Sequence, residues 1–148
     1  MAGVGHERLG QLREEFARVE KILRNTPTVD KFFPISKDEF LGRQRKVYEA
    51  LMGRGLEVGF VFSDEHYDGD VPYLGGNTNV QVEQVAGVAG KNGFHIVAGL
   101  EGGYIAEQLA GRAGAKVHKA EMLKLADEEY PINAERLEDV IEEAAGSK

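Results

Sequence analysis

Gly55-Leu56-Glu57-Val58-Gly59-Phe60-Val61-Phe62-Ser63 is the stretch on which the fold turns. Val58, Phe60, Val61 and Phe62 make a near-continuous apolar run after a glycine. Such a run predicts a strand buried on both faces by helices, at the centre of a sheet. Upstream, Ser36 stands three residues before Glu39. This is a capping-box spacing, in which hydroxyl and carboxylate both satisfy free amides at a helix start. It predicts a helix from Lys37 to about Arg54, with Phe40, Leu41, Val47, Tyr48 and Leu51 on one face. Gly55 then falls where a left-handed helix terminus calls for glycine.

Further upstream, Asn25 to Ile35 holds Pro27 and Pro34 around Phe32 and Phe33, and reads as an extended connector pinned by aromatics. Before it, Leu9, Leu12, Phe16, Val19 and Leu23 alternate in steps of three and four, which predicts an amphipathic helix from about Glu7 to Arg24. The seam is shorter than the three or four heptads of a sustained coiled coil, so docking onto its own domain is favoured over self-association. The expected organisation is a helix and connector over residues 1–35 and an α/β domain over 36–148.

Downstream, Ser63 to Pro72 is polar and acidic. Val71 to Leu74, Val80 to Gly90 and Phe94 to Gly99 read as strands, the last two joined as a hairpin through Asn92-Gly93. A helix is expected from Gly103, with Ile105, Leu109 and Ala113 on one face and Gly114 closing it. A short strand at Ala115 to His118 follows. Glu121 to Glu129 reads as helical and Pro131 breaks it. Asn133 can cap a last helix striped by Leu137, Val140, Ile141 and Ala144. This order predicts an α/β fold, a mixed β-sheet flanked by helices, with an extra N-terminal helix.

The 148 residues suffice for one sizeable core. Cysteine is absent, which excludes disulfides, thiolate nucleophiles and Cys-containing zinc sites. The net charge of -7 is dispersed, which argues against nucleic acid or an anionic membrane as the main partner. Glu7 and Arg8 stand where a signal peptide would be apolar, and no later run approaches a membrane span; the expected address is cytoplasmic.

Several motifs invite chemistry and fall short of it. Asp64-Glu65-His66-Tyr67-Asp68-Gly69-Asp70 resembles part of a calcium loop, but Gly75 takes the place of its last carboxylate, and a solvated loop is the simpler reading. Acid/base work by Glu65, Asp68 and Asp70 meets the same objection: carboxylates this dense in a short loop are usually just hydrated. Gly99-Leu100-Glu101-Gly102-Gly103 lacks the dinucleotide spacing and carries an anion, so a tight strand-to-helix turn is expected. Gly90-Lys91-Asn92 lacks both the first glycine and the hydroxyl of a phosphate loop. His6, His66, His95 and His118 show no paired ligand spacing; His95 and His118 are read as strand residues with satisfied ring nitrogens.

Taken as a set, Arg43-Gln44-Arg45-Lys46-Val47-Tyr48-Glu49-Ala50-Leu51, then Gly55-Leu56-Glu57, the strand to Phe62, and Tyr73-Leu74-Gly75-Gly76-Asn77 resemble the N-terminal domain of the creatinase and Xaa-Pro aminopeptidase (prolidase) family. The resemblance covers roughly Lys37 to Tyr130. Glu57 stands where that family commonly has aspartate, Gly75 where it has threonine, and Asp70 where an asparagine often precedes the tyrosine motif.

The resemblance implies a ribonuclease-H-like domain, normally followed by a pita-bread catalytic domain that holds a pair of divalent metal ions. It assigns no catalytic residue and no metal ligand to this chain. The final helix running out through Glu142 to Lys148 reads as a cut at a domain boundary. The partners implied are the chain's own C-terminal catalytic domain, further copies in a homo-oligomer, and a peptide or small guanidino or amide substrate. His66, Tyr67, Asp70, Tyr73 and Asn77 are the candidates for facing the substrate cleft, because loops at strand ends are where α/β folds build sites. The alternative is a stand-alone module that binds a peptide or protein partner.

Overall fold

The computed structural model describes residues 3–27, 34–76, 84–123 and 134–147, with side chains from residue 8 onward. The chain divides into two compact units, Met1–Pro34 and Ile35–Lys148. In the first, α1 spans Gly3–Asn25, and Leu9, Leu12, Phe16, Val19 and Leu23 along it are exposed. Most of the connector, including Phe32 and Phe33, lies outside the described residues.

The second unit opens on α2 (Lys37–Met52). Ser36 Oγ accepts from the Glu39 amide at 3.2 Å, so the hydroxyl half of the capping box forms. Its other half does not. The Glu39 carboxylate turns forward to Arg43 at 3.0 Å, one helical turn on, where it gains an ion pair. Phe40 is buried, Leu41 is exposed, and the helix ends through a left-handed Gly55 (φ 72°).

Strand β1 is Gly59–Ser63, and it is followed by α3 (Asp70–Gly75), β2 (Val85–Gly90), β3 (Gly93–Ala98), α4 (Leu100–Ala110), β4 (Lys116–Lys119) and α5 (Leu137–Ala145). The four strands form one mixed sheet in chain order. β1, β2 and β3 are antiparallel neighbours, and β4 joins β3 in parallel after the α4 crossover.

Two core clusters sandwich the sheet. On one face Val85, Ala89, Phe94, Ile96 and Ala98 pack with Val71 and Leu74 of α3 and with Ala106 and Ala110 of α4. On the other, Val88 and Val97 pack with Ala120 and with Val140 and Ala144 of α5. Alternation along β3 therefore sends Phe94 and Ile96 to the first layer, and His95 and Val97 to the second.

Four expectations are corrected. β1 is an edge strand, not the sheet's centre. Phe60 and Phe62 are 52% and 46% exposed, because α5 packs against β2 and β3 and leaves the same face of β1 uncovered. The doubly buried strand is β3, where His95 sits among buried Phe94, Ile96, Val97 and Ala98.

Val71 to Leu74 is helix, not strand. Pro72 sits in the first turn of α3, where its missing N–H costs nothing, and the buried pair Val71 and Leu74 follows helical spacing around exposed Tyr73. Helix α4 starts at Leu100 rather than Gly103. The glycines inside it leave room for β4: a Cβ on Gly103 would lie 2.6 Å from Lys119 Cγ. The last helix starts at Leu137, after Arg136, and not from a cap at Asn133, which lies outside the described residues. Of the expected helix Glu121 to Glu129, a 3-10 turn at Glu121–Leu123 is described. Likewise, of Val80 to Gly90, the described part is β2 with Gln84 before it.

The hairpin through Asn92-Gly93 forms as expected, and Gly114 closes the α4 region in left-handed conformation. Among the described residues no helix is long and apolar enough to cross a membrane.

Candidate functional site

The loop after β1 is built on Asp64. Its Oδ1 accepts from the amides of Tyr67 (2.9 Å) and His66 (2.8 Å), and these two bonds, the first more than the second, hold its pKa below the ordinary aspartate value. The turn presents His66 and Tyr67 to solvent, with His66 Nδ1 3.5 Å from Glu65. Ser63, buried at the end of β1, accepts from the Val71 amide at 3.0 Å and so caps the first turn of α3 from another element. Asp70 and Tyr73 project from α3; the Arg43 guanidinium lies 4.2 Å from the Tyr73 ring centroid and donates to the Tyr73 carbonyl. His66, Tyr67, Asp70 and Tyr73 are all exposed on this one segment, and Asn77 lies outside the described residues.

A second constellation is assembled by the sheet. In parallel register Val97 lies opposite His118, and His95 opposite Lys116, so the two histidines sit two positions apart on neighbouring strands and on one face. His95 Nδ1 and His118 Nε2 are 2.9 Å apart, with the rings stacked at 5.1 Å and 19°. His118 Nδ1 is 2.7 Å from Glu135 Oε2. Both rings are buried, at 2% and 1% exposure.

The carboxylate only accepts, so with both rings neutral the protons are ordered. His118 donates from Nδ1 and accepts at Nε2, and His95 donates from Nδ1. His95 Nε2 is then a bare lone pair, buried, without a hydrogen-bond partner among the described residues. The expectation of satisfied ring nitrogens therefore holds for His118 and fails for half of His95.

Burial first, and then the neighbouring His118, hold the His95 pKa below the ordinary histidine value, against a smaller opposing pull from Glu143. Glu143 comes from α5. Its carboxylate is ion-paired with Lys116, which holds its pKa low. One ligand atom from each of His95, His118 and Glu143 lies within 4.8 Å of the others.

Sequence spacing could not reveal this group, since its members come from three elements. The available signal was a polar residue at an inward position of an otherwise apolar strand, as His95 is between Phe94 and Ile96. No family model matches the chain, and the search for curated relatives finds no match.

Proposed function

We propose that the Ile35–Lys148 unit is the non-catalytic N-terminal domain of a metal-dependent hydrolase of the creatinase and Xaa-Pro peptidase kind, with the ribonuclease-H-like build which that implies. Its work is to provide contacts, to its own catalytic domain and to other copies, and to wall one side of the substrate cleft.

The observation that carries this reading is how the motif residues are used. Buried Gln44 donates to the carbonyls of Leu74 (2.8 Å) and Ala113 (3.0 Å), and Arg43 clasps Tyr73. The residues that carry the resemblance thus brace α2 against α3 and the end of α4, as a scaffold requires. Exposed Phe60 and Phe62 on edge strand β1 fit a surface that a neighbouring domain covers.

In this reading the pair of divalent ions and the hydrolytic chemistry belong to the domain that follows, and the loop at His66, Tyr67, Asp70 and Tyr73 narrows which peptide or small amide enters. The natural reading frame beyond Lys148 is the first test. A downstream domain with aspartate, histidine and glutamate ligands supports the proposal, whereas a stop codon there leaves the stand-alone interaction module. In the full-length protein, His66→Ala and Asp70→Ala should each lower kcat/KM several-fold with Tm nearly unchanged, since exposed substitutions move stability little. Wild-type kinetics in both would remove the cleft role.

A further inference from the structure

We infer that His95, His118 and Glu143 form a binding site for one divalent transition-metal ion, of the zinc class, clamped between β3, β4 and α5. The site is separate from any metals of a downstream catalytic domain and does not depend on there being one.

Three independent observations converge on it. The first is proximity: two imidazoles and a carboxylate offer ligand atoms within 4.8 Å of one another. Tetrahedral zinc, with bonds of about 2.0–2.1 Å to nitrogen and oxygen, needs ligand atoms about 3.3 Å apart, so the two rings, 2.9 Å apart at their nearest nitrogens, must open slightly while Glu143 closes in. Glu143 can do so, because its side chain is about a third exposed and its present partner Lys116 lies largely in solvent.

The second is the orphaned nitrogen. His95 Nε2 is buried without a hydrogen-bond partner among the described residues; with both rings neutral it is a lone pair, costly to bury, which a cation relieves without supplying a proton. His118 offers Nε2, because Glu135 holds Nδ1. A metal at His118 Nε2 displaces the hydrogen bond that this atom accepts from His95 Nδ1, and His95 then offers Nε2, which has no partner among the described residues, or Nδ1.

The third is Glu135. A carboxylate on the far nitrogen of a ligating histidine fixes its tautomer and raises its basicity, which is the usual outer-shell support of a histidine–metal bond. Two nitrogens and one carboxylate oxygen suit zinc, cobalt or nickel rather than magnesium or calcium, which prefer oxygen alone. Three protein ligands leave a fourth position on the Glu143 side, where the site meets solvent.

Isothermal titration of the purified chain with zinc chloride at neutral pH should give one site per chain. Cobalt(II) should develop the intense visible absorption of tetrahedral coordination. Glu143→Gln should weaken zinc by at least about tenfold, and Glu135→Gln, which acts only through His118, by about 10–100-fold, both with unchanged far-ultraviolet circular dichroism. His66→Ala, outside the group, should bind as wild type does. Absence of saturable binding, or binding that Glu143→Gln and Glu135→Gln both leave intact, would overturn the site. His95→Gln and His118→Gln are secondary tests, because burial of both rings puts folding at risk; the two glutamate variants decide the matter alone.

Discussion

Gln44 shows what a single buried amide does in this fold. It lies on the same stripe of α2 as Phe40 and Val47, yet it is polar, and its two donated bonds reach carbonyls 30 and 69 residues away in the chain. Those carbonyls belong to turns where helices end, and helix ends leave such groups unpaired. Gln44→Leu keeps the volume and removes both donors. It should cost about 2–3 kcal/mol, the penalty for stranding buried acceptors, and chemical denaturation would measure it. An unmoved midpoint would mean that both carbonyls find water. The helical stripe itself could be read from spacing, as could the Ser36 cap. The partners of Gln44 could not, because they are tertiary. The same division holds for His95: its place in a strand was readable, whereas its stacking on His118 depends on a register that only the α4 crossover sets.

Composition alone misplaces elements whose burial depends on tertiary cover. Four apolar residues near Phe62 pointed to a central strand, but centrality depends on what covers each face, and α5 packs over β2 and β3 instead. Val71 to Leu74 is too brief to show a period, so a strand and the short helix α3 look alike in sequence. The docking of α5 has its own signature in β2. A Cβ on Gly90 would lie 2.3 Å from the Ala144 carbonyl oxygen, and Asn92 next to it donates to the carbonyls of Glu143 and Ala144. Gly90→Ala should therefore push α5 off the hairpin and destabilise by about 1–3 kcal/mol, the usual cost of overpacking. Hydrogen exchange would check it: faster exchange should concentrate in α5, and uniform behaviour across the unit would contradict the assignment.

Both core clusters lie within Ile35–Lys148, and every strand of the sheet belongs to that unit. Residues 35–148 expressed alone should thus unfold in one cooperative step with a Tm close to that of the whole chain. A loss of cooperativity would show that residues 1–34 contribute to the core. At this scale the α/β class, the mixed sheet and the hairpin were legible, since they follow from alternation, turn residues and element order. Strand order was not, and it carries a consequence for synthesis. Because β1, β2, β3 and β4 lie side by side in the order in which they are made, each strand after β1 meets a neighbour that has already left the ribosome. The sheet can grow outward from β1 by adding one edge at a time, with no slot held open for a later segment. Among the described elements, α5, which closes the second face, must wait for the end of the unit.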